Sequence, residues 1–155
     1  MDRVNRAAVA LGSNVGDRRG HLTYALSRLA GYFEGLTVSR FIDTTPVNVA
    51  GDQPDFLNAA AIGSTRLTPR ALLDTLLAIE RDRGRERPFP GAARTLDLDL
   101  ILFADRIINE PSLIVPHPRF RERRFVLEPL AEIAGDLVDP VTGETVAELL
   151  KAIDT

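Results

Sequence analysis

The chain has 155 residues, 45% of them hydrophobic and 26% charged, with a formal net charge of −3. This length suits one domain with a sizeable core, and we expect residues 1–155 to form it. Because the chain contains no cysteine, disulfides and thiolate metal sites are excluded. No apolar run approaches the length of a membrane span, and the charged N-terminus does not resemble a signal peptide. A cytoplasmic protein is therefore expected.

Arginine is concentrated in two short stretches of an otherwise acidic chain. The net charge is +3 in residues 81–94 and again +3 in residues 117–124, so the other residues together must have a net charge of −9. A nucleic-acid-binding protein usually presents an extended basic face, whereas two compact clusters suit a small anion. We therefore expect small-molecule substrates, with no nucleic-acid or membrane partner.

The first quarter of the chain alternates strand and helix patterns. Residues 6–11 predict a strand that ends at the turn-forming triplet Gly12-Ser13-Asn14. Asp17 suits the N-cap of a helix, and residues 36–44 predict the next strand. The buried stripe of the helix, at steps of four, three and four, would consist of Leu22, Leu26, Leu29 and Phe33.

An aromatic residue and an amide stand two residues apart in the following segment. Residues 45–54 hold two prolines and a glycine and predict a long loop. Residues 56–64 predict a strand, so Phe56 and Asn58 would point to the same face. This pair could stack on and hydrogen-bond a flat heterocycle, although an aromatic residue at a strand start is more often part of the core.

A second helix is predicted from Thr68, its cap, and Pro69, in its first turn. Its buried line would consist of Leu72, Leu76 and Ile79. Glu80 lies near the C-terminal end, where a carboxylate opposes the helix dipole, so a partner cation is expected. Gly84 would end the helix, and the proline- and arginine-rich residues 85–93 predict a second loop.

The most informative pattern occupies residues 94–103. All even positions from 96 to 102 are leucine, which predicts a strand with one buried face. Asp97 and Asp99 would stand on the other face, about 6.6 Å apart at roughly 3.3 Å of rise per residue, followed by Ile101 and Phe103. Aspartate is depleted in strands, so the pair predicts either a solvated face or shared metal ligands. The nearby arginines favour metal ions and guanidinium groups holding a polyphosphate.

The rest of the chain predicts further helices and completes the fold. His117 lies between two prolines beside the second arginine cluster, and it could bind a phosphate or be a turn residue without a role. Phe125 opens a helix, and Thr145 and Glu148 have the spacing of a capping box for a terminal helix. The order strand, helix, strand, strand, helix, strand predicts an α+β, ferredoxin-like fold, a mostly antiparallel sheet with helices packed on it.

Four motifs occur in order along the chain: ALGSN at 10–14, DQPDFLNAA at 52–60, RTLDLD at 94–99, and VPH at 115–117 with Arg123 and Phe125. In these the chain resembles the 6-hydroxymethyl-7,8-dihydropterin pyrophosphokinase family of folate biosynthesis. The resemblance implies transfer of diphosphate from ATP to a pterin alcohol, with release of AMP and with two Mg²⁺ ions as cofactors. ATP and 6-hydroxymethyl-7,8-dihydropterin would be the substrates, and a monomer is expected.

The resemblance also implies roles for individual residues. Asp97 and Asp99 would bind the metal ions and act in catalysis with Arg85 and Arg94. The pterin-binding residues would be Thr44, Val47, Phe56, Asn58 and Phe125. The ATP-binding residues would be Glu80, Arg85, Arg87, Arg94, His117 and Arg123. The chain departs from the family where Phe56 replaces a common tyrosine and where Gly91-Ala92-Ala93 precedes Arg94.

Two other functions stay open at this stage. The aspartate pair alone would allow a two-metal nuclease or nucleotidyltransferase, and a non-catalytic nucleotide-binding or regulatory domain is common on this fold. The Phe56 and Asn58 pair and the absence of an extended basic face count against the first. The paired carboxylates count against the second.

Overall fold

A computed structural model describes residues 4–44, 55–84 and 95–153. Its elements are β1 (Asn5–Ser13), α1 (Arg18–Leu29), β2 (Glu34–Val38), β3 (Ile42–Thr44), β4 (Phe56–Thr65), α2 (Pro69–Gly84), β5 (Asp97–Phe103), β6 (Ile108–Glu110), β7 (Leu113–Val115), a short 3-10 helix (Phe120–Glu122), α3 (Arg124–Ala134) and α4 (Val146–Ile153). The loops predicted at 45–54 and 85–93 lie outside the described residues.

The main sheet has the strand order β2-β4-β1-β5, with antiparallel neighbours throughout. The short strand β3 also pairs with β4, and β6 and β7 form a separate ribbon. With α1 between β1 and β2, and α2 between β4 and β5, this is the ferredoxin-like topology. The predicted α+β fold is confirmed. None of the helices in the described ranges combines the length and hydropathy needed to cross a membrane.

Both faces of the sheet are covered in its centre. Helices α1 and α2 pack on one face through Leu22, Leu29, Leu72, Leu76 and Ile79. Helices α3 and α4 pack on the other through Val126, Leu127, Leu130 and Leu149, together with Phe120. The central strands β1 and β4 are therefore apolar on both sides, and polar residues within them need a local reason.

The helix ends follow the predicted caps. The Asp17 carboxylate accepts a hydrogen bond from the Gly20 amide, and α2 ends at Gly84. At α4, Thr145 and Glu148 each bond the other's backbone N–H with a side chain, which completes the capping box. The predicted stripe of α1 was wrong at Phe33, because the helix ends at Leu29.

Two strand predictions were wrong in their boundaries. Gly12 and Ser13 do not form a turn, because β1 continues through both and pairs with β4. The single strand predicted over residues 36–44 is replaced by two, β2 and β3, which both pair with β4. Between them, the Ser39 hydroxyl accepts a hydrogen bond from the Ala60 amide at 2.9 Å. The Ser39 side chain thus takes the place of a backbone carbonyl where the strand is interrupted.

The alternation predicted for β5 fails after Leu100. The pairing with β1 shifts by one residue there, since Val9 lies opposite Leu100 and Ala8 opposite Leu102. The extra residue is Ile101. Leu102 therefore packs with α3 and α4, whereas Phe103 packs with α1 and α2. Phe103 does not share the face of the two aspartates.

Candidate active site

Strand register brings the polar residues of three strands onto one face. Directly opposite residues in a sheet point the same way, and Asn58 of β4 lies opposite Gly12 of β1. Gly12 in turn lies opposite Asp97 of β5, and Asp99 lies opposite Ala10. The amide and the two carboxylates therefore share the face that α3 and α4 cover elsewhere.

Three of the residues predicted to bind a pterin lie together on the β3–β4 pair. The side-chain amide of Asn58 donates a hydrogen bond to the hydroxyl of Thr44. Thr44 lies opposite Phe56 across the β3–β4 pair. Asn58 is only 5% exposed, and Phe56 is half-buried. The β3–β4 pair thus presents an oriented amide beside an aromatic ring.

Gly12 borders both of these side chains. A Cβ at this position would lie 3.1 Å from Asn58 Oδ1 and 3.6 Å from the Phe56 ring. The missing side chain leaves space between the amide and the Asp97 carboxylate. The sequence pattern predicted a turn at Gly12 and did not predict this role. The feature of the sequence that could have indicated this role is the position of the glycine at the end of a strand, where a glycine often allows close approach of a ligand.

The two aspartates are held by a neighbouring helix through the residue between them. Asp97 and Asp99 are half-buried on β5. The backbone N–H of Leu98 donates to Glu80 Oε2 of α2 at 2.7 Å. Glu80 thereby fixes the backbone from which both carboxylates project.

The donor set of this pair suits a hard divalent cation. Mg²⁺ is commonly held by one or two protein carboxylates together with substrate phosphates. Across the described ranges, no group of three or more His, Cys, Asp and Glu side chains is arranged to hold a metal on its own. Asp97 and Asp99 could therefore hold Mg²⁺ in company with phosphate oxygens.

His117 is fixed to β5 close to the aspartates. Its backbone N–H donates to the carbonyl of Ile101 at 2.9 Å, and its Nδ1 accepts from the Arg119 amide at 3.1 Å. Burial and the neighbouring Arg123 lower the pKa of His117, although Asp97 acts in the opposite direction. The lowered pKa favours the neutral ring, in which Nδ1 is the acceptor and Nε2 carries the proton.

Arg123 differs from the other arginines of its cluster. Three of them pair with carboxylates: Arg119 with Glu122, Arg121 with Asp139 and Arg124 with Glu128. Arg123 has no ion pair within residues 4–44, 55–84 and 95–153. Its guanidinium lies 5.6 Å from the centre of the Phe125 ring at the start of α3. This charge is available for an anionic ligand.

The structure brings together the described members of the predicted site. Those that share the sheet face or lie beside it are Thr44, Phe56, Asn58, Asp97, Asp99, His117 and Arg123. Phe125 adjoins Arg123, and Glu80 lies behind β5. Val47, Arg85, Arg87 and Arg94 fall outside the described residues.

Comparison with known sequences decides the family. The sequence model of the 7,8-dihydro-6-hydroxymethylpterin-pyrophosphokinase (HPPK) family matches residues 8–135. The chain belongs to this family. The membership predicted from the motifs is confirmed, and with it the class of enzyme, a pyrophosphokinase.

Individual HPPK relatives align over almost the whole chain. The 2-amino-4-hydroxy-6-hydroxymethyldihydropteridine pyrophosphokinase of Synechocystis sp. is 42% identical over 149 residues, which cover 96% of this chain and 76% of the relative. The protein of the same name from Pseudomonas aeruginosa is 41% identical over 154 residues, which cover 96% and 92%.

A solved structure agrees in fold with this HPPK chain. Wild-type HPPK-DHPS of Plasmodium falciparum, solved with pterin and p-hydroxybenzoate, superposes with a TM-score of 0.78 over 97% of this chain. The chain spans only 43% of the length of that protein, and the sequences are 16% identical. This likeness therefore shows the fold alone.

Proposed function

We propose that this chain transfers diphosphate from ATP to the hydroxymethyl group of 6-hydroxymethyl-7,8-dihydropterin, releasing AMP, as a step of folate biosynthesis. One observation carries the proposal. The Asn58 amide, held by Thr44, and the Asp97 carboxylate stand on one sheet face, on either side of Gly12. A flat heterocycle on one side would thus meet a polyphosphate on the other.

The pterin side of the site would recognise a ring edge and a ring face. One N–H of the Asn58 amide is engaged by Thr44, which leaves Oδ1 and the second N–H for a ligand. An edge of alternating donors and acceptors, as in a pterin, matches this pair. Phe56 and Phe125 would flank the ring, and Thr44 and Val47 would contribute mainly backbone contacts.

The phosphate side would combine carboxylates with cationic and neutral donors. Asp97 and Asp99 would hold two Mg²⁺ ions, which when bound neutralise phosphate charge and align the phosphate oxygens. Phosphate oxygens would be bound by the Nε2–H of His117 and by Arg123, which forms no ion pair with another described residue. From the residues outside the described ranges, Arg85, Arg87 and Arg94 would add positive charge. Glu80 would keep the aspartates in place through Leu98.

The reaction is an in-line displacement at the β-phosphorus. The hydroxymethyl oxygen of the pterin forms the new O–P bond and its proton is released. The bond between the β-phosphorus and the oxygen bridging it to the α-phosphate breaks, and AMP leaves with that electron pair. Such a transfer depends on alignment and charge neutralisation more than on covalent help from the protein.

The setting of the enzyme is part of the proposal. We expect one domain acting as a cytoplasmic monomer on small molecules, with no nucleic-acid or membrane partner. The salt bridges of the second arginine cluster support only the absence of a nucleic-acid partner, because they offset the charges of three of its four arginines.

Product analysis tests the proposal. The purified chain is incubated with ATP and Mg²⁺, with and without 6-hydroxymethyl-7,8-dihydropterin, and the nucleotides are separated. AMP that forms only with the pterin is the expected result. ADP in place of AMP would indicate an ordinary kinase, and no pterin-dependent nucleotide product would overturn the proposal.

A further inference from the structure

Arg18, the first residue of α1, joins the two strands that carry the pterin contacts. Its Nη1 donates to Asp43 Oδ1 at 2.7 Å and to the carbonyl oxygen of Asp55 at 2.8 Å. Asp43 directly precedes Thr44 in β3, and Asp55 directly precedes Phe56 in β4. One guanidinium nitrogen thus connects Asp43 with Asp55. Each of these residues directly precedes a residue, Thr44 or Phe56, that lies beside Asn58.

The strand β3 needs such support because it is short. It has three residues, and within the described sheet it pairs only with β4. Its last residue, Thr44, supplies the hydroxyl that orients the Asn58 amide. A shift of Asp43 would therefore displace the partner of that amide directly.

The first turn of α1 holds the segment at a second point. The guanidinium of Arg19 lies 4.9 Å from the centre of the Phe41 ring, one residue before β3. The two arginines contact the segment on either side of Ile42, so α1 holds the start of β3 at two points.

Stability of the helix or of the ion pair does not account for Arg18. A positive charge in the first turn opposes the helix dipole, and the start of α1 is capped by Asp17 without help from Arg18. The Asp43 side chain is 60% exposed, and pairs so exposed contribute little to folding. The double contact is better explained by what it positions.

We propose that Arg18 is a positioning residue for the pterin pocket, acting through Asp43 on Thr44 and through Asp55 on Phe56. The inference rests on the proposed function, since it takes this pocket to be the one that receives the pterin. Loss of Arg18 would then weaken use of the pterin and leave use of ATP nearly unchanged.

The test compares Arg18→Gln with Arg66→Gln. Arg66 forms an exposed ion pair with Glu34 at the opposite end of β4, so it is a matched control. We expect Arg18→Gln to raise the KM for the pterin about 10-fold, with kcat and the KM for ATP within about 2-fold. Arg18→Lys should recover most of the loss, because it keeps a cation that can reach Asp43. The control should change none of the three constants by more than about 2-fold.

A second measurement does not depend on turnover. In NMR spectra of the free protein, the side-chain amide signals of Asn58 should shift in Arg18→Gln and stay in place in Arg66→Gln. The inference would be overturned if the pterin KM and the Asn58 signals change no more in Arg18→Gln than in Arg66→Gln. If the unaltered chain makes no AMP, the proposed function fails, and the Asn58 signals alone decide whether Arg18 positions this amide.

Discussion

Asn58 and Thr44 are joined by a side-chain hydrogen bond across the β3–β4 pair, in which the amide of Asn58 donates to the hydroxyl of Thr44. Because Asn58 is nearly buried, a lost acceptor would leave its amide free to rotate. We expect Thr44→Val to weaken pterin binding about 10-fold, the effect of one neutral hydrogen bond. Thr44→Ser keeps the hydroxyl and is the control. Equal pterin affinities of the two variants in a binding titration would contradict the assigned role.

Substitution of either aspartate should abolish turnover and leave the folded structure intact. Asp97→Asn and Asp99→Asn each remove one negative oxygen donor, and we expect AMP formation to fall by about 1,000-fold or more. The circular dichroism spectrum and the melting temperature should stay close to those of the unaltered protein. Asp105→Asn, in the exposed turn after β5, is the matched control. Near-normal turnover in both site variants would refute the metal assignment.

Only those features of the site that depend on the sequence within a single strand or helix could be predicted. The period of a strand places Asp97 and Asp99 on one face, and capping chemistry marks Asp17 as the start of a helix. The row from Asn58 through Gly12 to Asp97 was not predictable, because it depends on the register between strands far apart in the chain. A register is fixed by packing across the whole sheet.

The irregular positions of the sheet could not be predicted from local sequence patterns either. The break at Ser39 depends on a hydroxyl that meets the Ala60 amide, and the extra residue Ile101 depends on how β5 pairs with β1. Both arise from contacts between elements. The hydrophobic pattern of residues 36–44 and of residues 94–103 therefore predicted strands of the right kind and missed where each one bends.

Gly12 offers a test of the space between the two halves of the site. In Gly12→Ala the new methyl group would lie 3.1 Å from Asn58 Oδ1, so the amide must shift. We expect the KM for the pterin to rise about 10-fold or more, since the amide would be misplaced for its ligand. Gly31→Ala, whose methyl group would meet only the Arg28 carbonyl at 3.5 Å, is the control. Similar pterin KM values for both variants would show that Gly12 does not border the pocket.

His21 predicts a pH dependence of stability. Its Nδ1 accepts a hydrogen bond from Arg83 Nε at 2.9 Å, which a protonated ring cannot do. Burial and Arg83 lower the pKa of His21, although Asp17 and the backbone of Val15 act in the opposite direction. The unfolded chain therefore takes up this proton at a higher pH than the folded chain. The free energy of unfolding should fall as pH drops from about 6.5 to the lowered pKa.

The measurement for His21 is a difference between two proteins. Urea unfolding is followed at several pH values from 7.5 downward for the unaltered chain and for His21→Gln, which does not titrate. Carboxylates and His117 contribute to both curves, so their difference isolates His21. The unaltered chain should lose more stability below the ordinary histidine pKa. Parallel curves would show that folding does not lower the pKa of His21.

Arg121 and Asp139 form the most buried ion pair of the described chain. The Asp139 side chain is fully buried and also accepts hydrogen bonds from the Val141 amide and the Thr142 hydroxyl. Burial alone would raise the pKa of Asp139, yet the hydrogen bonds from Arg121, Val141 and Thr142 hold it below its usual range. In Arg121→Leu the carboxylate would keep only neutral donors. We expect unfolding to become easier by about 3 kcal/mol at pH 7.

The matched control for this pair is Arg119→Leu, which breaks an exposed pair with Glu122 and should cost less than about 1 kcal/mol. The pH dependence provides an independent check. A carboxylate with a depressed pKa stabilises the fold above its unfolded pKa, and this stability is lost as pH falls through the folded pKa. Protonation of Asp139 removes the buried charge, so the gap between Arg121→Leu and the unaltered protein should narrow in acid. A gap that stays constant would mean that Arg121 stabilises the protein through its packing on Phe120 and not through charge.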